Sequence, residues 1–209
     1  MRKLRRSDFG RRPGKPRETK RLFVLYCEGE NTEPDYFYAL ERFVKSRLLE
    51  IEYDSPAGVP FTIAEKAVER AKQMGLRRGR SSFEEGDQVW AVFDRDEHPR
   101  FDEAVTLCEQ SGVNVARSDP CFEVWLILHH EDCHRPLTRH EAQKRLQQLC
   151  PEYNRNGAKT VDCAKLIARI DDAEGRAEKH LASRASEGNA FGASSTTVHL
   201  LTKAIRGKA

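Results

Sequence analysis

The stretch Arg21-Leu-Phe-Val-Leu-Tyr-Cys-Glu28-Gly29-Glu30-Asn31-Thr32-Glu33-Pro34 limits what this chain can become more than any other. Its apolar run, Leu22 to Cys27, stops abruptly on the carboxylate of Glu28. Gly29 turns the chain, and Thr32-Glu33-Pro34 reads as a helix start, with Thr32 as a candidate N-cap and Pro34 in the first turn. A buried strand that delivers an acid at its carboxyl end is suited to a site, because in open α/β sheets that end faces the ligand crevice. A second segment repeats the design: Asp87-Gln-Val-Trp-Ala-Val-Phe-Asp94-Arg95-Asp96-Glu97-His98. If the two strands are neighbours, their acids meet.

The intervening chain supports that arrangement. Tyr36, Phe37, Leu40, Phe43, Val44 and Leu48 keep the three-four spacing of one buried helix face, so a helix is expected from about Glu33 to Leu49. Ile51 to Asp54 reads as a short strand, and Thr62–Met74 as a helix that ends at Gly75. Gln88–Phe93 is apolar and β-rich, as a central strand would be. A helix from Phe101 to Cys108, a strand over Val113–Arg117, and a helix over Cys121–His130 follow, the last with Ser118-Asp119-Pro120 as its cap. Thr138 and Glu141 form a capping-box pattern for a helix reaching about Leu149. Two further helices are expected, over roughly Val161–Leu181 and Thr196–Ile205. Strands alternating with helices imply parallel pairing through right-handed crossovers. The expected fold is therefore a doubly wound α/β core with a mainly parallel sheet of about four strands. The expected division is a flexible basic arm (1–20), the α/β core (21–130) and a helical C-terminal region packed on it (131–209).

Composition narrows the class. With 33% charged residues and 8% aromatics, the chain is charge-rich without being disordered. The net charge is only +3, yet the first 21 residues hold Arg2, Lys3, Arg5, Arg6, Arg11, Arg12, Lys15, Arg17, Lys20 and Arg21 against Asp8 and Glu18. Such a block is either a solvated tail or an electrostatic arm for nucleic acid. None of the six cysteines forms a Cys-x-x-Cys pair, and the basic start leads into no signal-like apolar segment. No run approaches the roughly 18 apolar residues of a membrane span. A reducing cytoplasmic setting without structural disulfides, and no membrane association, are expected.

The acids suggest the chemistry. Two carboxylates two residues apart, Asp94 and Asp96, can turn toward one point just past a strand. Mg²⁺ takes oxygen ligands, often one or two carboxylates with water and substrate phosphates. Read structurally instead, Asp94 caps a helix and Asp96 pairs with Arg95 or Arg100. Glu123, in the first turn of a largely apolar helix, is costly to bury unless paired or bound to a metal; alternatively it complements the helix dipole. His129, His130, Cys133 and His134 form a dense cluster, which reads as zinc ligands, or as a histidine reaching a phosphate or water. The basic arm, Arg77, Arg78 and Arg80 of a Gly/Ser-containing loop, and Arg135 and Arg139 could together track a phosphate backbone, or be a solvated surface. No aromatic stacking platform for single strands is visible.

Three stretches together resemble a known family: Val24-Leu-Tyr-Cys-Glu-Gly-Glu-Asn-Thr-Glu-Pro34, Val92-Phe-Asp-Arg-Asp-Glu97, and Ser118-Asp-Pro-Cys-Phe-Glu-Val-Trp-Leu-Ile-Leu-His129. Ser195-Thr-Thr-Val-His199 also fits. Strand-Glu-Gly followed two βα units later by strand-Asp-x-Asp resembles the TOPRIM domain of topoisomerases, primases and OLD-type nucleases. The whole set resembles the RloB-like family of bacterial defence proteins. The resemblance implies a TOPRIM-like fold and a Mg²⁺- or Mn²⁺-dependent nuclease acting in antiphage defence. It implies Glu28 as general acid/base or metal ligand, and Asp94 and Asp96 as Mg²⁺ ligands. Glu30, Glu33 and Glu123 are candidates for further metal contacts, with Glu123 preferred, and Lys159 for a catalytic lysine. It also implies a nucleic-acid substrate (RNA, with transfer RNA among the candidates, or DNA) and partnership with an ABC-type ATPase. Self-association into a homo-oligomer stays open.

Two other classes remain in view. One is a non-catalytic nucleic-acid-binding or regulatory subunit on the same scaffold, since fold alone does not imply function. The other is a phosphatase using Asp94-Arg-Asp96, although that motif usually follows the first strand and here follows the third.

Overall fold

A computed structural model describes residues 21–47, 49–54, 58–75, 86–95, 98–157, 159–189 and 191–208. The arm 1–20, the loop carrying Arg77, Arg78 and Arg80, and Asp96 lie outside the described residues.

The strands are β1 (Arg21–Cys27), β2 (Leu49–Asp54), β3 (Gln88–Asp94), β4 (Asn114–Asp119) and β5 (Ser195–Thr196). They form one sheet in the order β2-β1-β3-β4-β5. The first four are parallel, and only β5 runs antiparallel, against β4. The sequence suggested about four strands; the fifth has two residues inside a Gly/Ser-rich stretch, too short to show a period. It is anchored by side chains: Ser118 and Thr196 share a hydroxyl hydrogen bond of 2.9 Å, and the Arg117 N–H donates to Thr197 Oγ1 at 2.9 Å.

Alternation along the strands splits the core. Phe23, Leu25, Cys27, Trp90 and Val92 face one side, while Val24, Tyr26, Val89, Ala91 and Phe93 face the other. Helices α2 (Pro60–Gln73) and α3 (Phe101–Gln110) cover the second side with Ile63, Ala67, Phe101 and Val105. The first side is covered by α1 (Thr32–Val44) through Tyr36, Phe37 and Leu40, and by the helices that follow β4. Those are α4 (Glu123–Leu128), α5 (Arg139–Leu149), α6 (Cys163–Ile167), α7 (Ile170–Ser186) and α8 (Val198–Arg206). Leu146, Leu166, Ile170, Leu201 and Ile205 thus share one core with β1. Helices lie on both faces, as in a doubly wound fold.

Several boundaries differ from expectation. The helix expected over Val161–Leu181 is two, α6 and α7. The Arg169 N–H donates to the Leu166 carbonyl at 2.8 Å, an i→i+3 bond that tightens the turn between them. Thr32 is not an N-cap but the first residue of α1, and its hydroxyl donates to the Lys159 carbonyl at 3.1 Å. The helix expected over Cys121–His130 is a six-residue α4, without a side-chain cap from Ser118 or Asp119. The capping box of Thr138 and Glu141 is formed in full.

Candidate functional site

β1 and β3 are adjacent, so the two acidic strand ends meet. From β1 the chain leaves through α1 toward β2 on one edge, while β3 lies on β1's other side. That is a topological switch point, where open α/β sheets place their ligands. The backbone closes the junction: the Glu28 N–H donates to the Val92 carbonyl at 3.0 Å, and the Asp94 N–H donates to Glu28 Oε2 at 3.2 Å. Asp94 keeps the alternation of Trp90 and Val92 and so turns to the face covered by α1 and α4.

Those two helices start beside it. Glu33 sits in the first turn of α1 and Glu123 opens α4, each at the positive end of a helix, where a carboxylate is favoured. Glu33, Asp94 and Glu123 are all nearly fully buried, at 6%, 6% and 5% exposure. With Glu28, Gly29, Arg139 and Lys159 they line a cavity of about 350 Å³.

Each acid is held by specific partners. Glu33 Oε1 accepts the Gly29 N–H at 3.2 Å. A Cβ on Gly29 would lie 2.0 Å from Glu33 Oε2, so the glycine is required for this close approach. The Tyr153 hydroxyl donates to Glu123 Oε1 at 2.5 Å, and Gln143 Nε2 donates to the same oxygen at 3.3 Å. His98 Nε2 stands 3.6 Å from Glu28 Oε1. Burial is the main cause of an upward shift of the Glu33 carboxyl, with the nearby Glu123 and Glu28 charges adding to it; its pKa is pushed to about 7. Burial, then the charges of Glu33, Glu123 and Glu28, raises Asp94 well above the ordinary carboxylate value, while the Arg139 guanidinium pulls it down.

The cavity therefore concentrates acids that are costly to ionise together. A divalent cation would relieve that crowding, and the donors are oxygens, as a hard cation requires. The residues present suit such an ion. Among the described residues, no three His, Cys, Asp or Glu side chains are already gathered as a finished metal centre. Glu28 and Glu123 instead spend oxygens on the Asp94 N–H and on Tyr153.

Of the residues singled out in the sequence, Glu28, Asp94, Glu123, Lys159, Arg139 and Glu30 line one cavity. Lys159 enters it from a left-handed turn (φ 51°). Arg135 does not line it; its guanidinium pairs with Glu141 at 3.1 Å, beside the capping box of α5. The histidine cluster resolves into separate roles. His129 is fully buried: its Nδ1–H donates to the Trp125 carbonyl at 3.0 Å, which leaves Nε2 to accept the Tyr36 hydroxyl at 2.9 Å. Burial drops its pKa to about 3, so it is a neutral core residue and does not reach a phosphate. His130 Nε2 contacts Cys150 Sγ at 3.3 Å, and His134 stands against His180. Tyr153 and Gln143 were not legible as site residues. The one sequence signal at Tyr153 is an aromatic in an otherwise polar loop, and the structure shows it buried.

Fold and site together define a doubly wound α/β protein with an acid-lined crevice at its switch point. The chain belongs to the RloB-like family, whose model, described as RloB-like protein, matches residues 23–205. A search of curated proteins and a search of solved structures each returned no match.

Proposed function

We propose that this protein is a metal-dependent nuclease of the TOPRIM type, hydrolysing phosphodiester bonds of RNA, transfer RNA among the candidates, or of DNA, as an effector of antiphage defence. The observation that carries this reading is the meeting of Glu28, Asp94 and Glu123, from three separate elements, around one cavity that Arg139 and Lys159 also line.

Glu28, Asp94 and Glu123 would hold Mg²⁺ or Mn²⁺, joined by Asp96, which follows two residues after Asp94 in sequence. Such an ion supplies Lewis-acid stabilisation of phosphate charge and an activated water. The protein's own groups do the rest. Arg139 and Lys159 bind the phosphate oxygens and offset charge that grows on them in the transition state. Tyr153 and Gln143 fix the orientation of Glu123, and the Gly29 N–H fixes that of Glu33. With a pKa of about 7, Glu33 can hold or release a proton inside the cavity at neutral pH. An ABC-type ATPase as partner, and a cytoplasmic site of action, belong to the same proposal. No helix among the described residues is long and apolar enough to cross a membrane.

The test is incubation of the purified chain, alone and with an ATPase encoded beside it, with RNA and with DNA, in Mg²⁺, Mn²⁺ or EDTA. Cleavage that needs the metal and disappears in Asp94→Asn and Glu123→Gln supports the reading. Cleavage untouched by both substitutions overturns the site. Binding without cleavage, partner present, makes the chain a nucleic-acid-binding subunit instead.

A further inference from the structure

We infer that the groove along the edge of β4 is a stacking subsite for an unpaired base of a single-stranded nucleic acid, with Phe191 as its platform; the inference rests on the nucleic-acid reading above. Phe191 follows α7 in the loop leading to β5, and it remains 40% exposed. It lines an open groove of about 550 Å³ whose other walls include Trp90, Asn114, Arg117, Thr197 and Leu200, with Glu109 as its one acid. The Arg117 guanidinium carbon lies 3.3 Å from the centre of the Phe191 ring. An aromatic face backed by a cation is what a nucleobase stacks on, because every base has a π-face.

Position ties this patch to the crevice. Arg95 directly follows Asp94, and its N–H donates to the Ser118 carbonyl at 2.8 Å, so it sits where β3 and β4 end. Its side chain reaches the other way, donating from Nη1 to the Phe191 carbonyl at 3.4 Å and standing 3.7 Å from Asp119. Arg95 therefore links the platform, at the edge of β4, to the strand end whose Asp94 lines the acid cavity.

Charge fits the same occupant. Among the described residues the one carboxylate within ion-pair distance of Arg95 is Asp119, at 3.7 Å, and Arg117 has none. Burial lowers the Arg117 pKa; the Glu109 charge opposes that shift, and the weaker Arg95 charge adds to it. Both guanidiniums stand against Phe191, where a phosphate of the strand would pair with them as the base stacks. A duplex presents no free base face, so the patch favours single strands, loops or ends.

The experiment measures binding rather than cleavage, so its failure is distinct from failure of the nuclease reading. The full chain in EDTA is titrated against labelled single-stranded oligouridylate and oligothymidylate of about ten nucleotides, and against an abasic oligomer of equal length and charge. The expected result is preference for the strands with bases. Phe191→Ala should weaken binding to them about tenfold, as loss of one stacked base does, and leave abasic binding unchanged. Phe191→Trp should keep the preference. Arg95→Gln should weaken all the strands alike and lower the salt slope by about one. Unaltered melting of Phe191→Ala excludes a folding defect. The inference is overturned if the wild-type chain does not prefer bases over the abasic oligomer, or if Phe191→Ala weakens both alike or neither.

Discussion

At the scale of single residues, the site depends on two fixed contacts. Gly29 admits the Glu33 carboxyl into a space where any Cβ would collide. Gly29→Ala should therefore push Glu33 off the Gly29 N–H and out of the cavity. Its expected cost is about 1 kcal/mol of stability, the size of one hydrogen bond, with at least a tenfold fall in metal-dependent cleavage. Urea unfolding alongside a cleavage assay checks both, and wild-type activity would remove Glu33 from the machinery. Tyr153→Phe deletes the short donor to Glu123. Outer partners of metal-binding carboxylates typically hold 10–100-fold in affinity. Titration of Mg²⁺ or Mn²⁺ by calorimetry should show a loss of about that size in Tyr153→Phe, and unchanged affinity would mean that the tyrosine serves packing alone.

At the scale of elements, the first turns of α1 and α4 carry the acids while their bodies carry the core. Tyr36, Phe122, Trp125 and His129 meet edge to face between the two helices. This aromatic cluster fixes how Glu33 and Glu123 approach each other. Tyr36→Phe removes the donor to His129 Nε2 and strands a buried acceptor, at a cost of about 1–3 kcal/mol. The expected outcome in urea unfolding is that loss of stability with cleavage retained at temperatures where the fold persists. A selective loss of activity without loss of stability would give His129 a chemical role that its burial and low pKa argue against. The sequence showed the strand ends and the capping box, because each is local. It did not show the two-residue β5 or the break between α6 and α7, because neither breaks a pattern that extends over a full turn or strand.

For the whole molecule, the crowding of acids links stability to pH and to cations. The folded-state pKa of Glu33, about 7, lies above its ordinary value of 4.5. Its contribution to folding is fully present below pH 4.5 and is lost as pH rises through 7; the raised value of Asp94 adds in the same direction. For Glu33 alone the difference is on the order of 3 kcal/mol, from 1.36 kcal/mol per pKa unit. The metal-free protein should therefore melt at a lower temperature at pH 8 than at pH 5. Mg²⁺ or Mn²⁺ should raise the melting temperature more at pH 8, where the carboxylates are ionised, than at pH 5. Equal gains at both pH values would place cation binding elsewhere.

The sequence by itself determined the four parallel strands, the order of βα units and the identity of the acids. An apolar run closed by a carboxylate, a turn glycine and a capping box are signals between near neighbours. It also placed Lys159 and Arg139 among the candidates, though not for a shared reason. Only the tertiary structure decided that α1, β3, α4 and the loop around Tyr153 converge, since they are brought together by packing across the sheet and not by spacing along the chain. For the same reason Glu33 moved from a first-turn acid to the centre of the cavity, and His129 moved from the site into the core. Phe191, in a loop with no periodic signal, gained its place only from the arginines that the ends of β3 and β4 set against it.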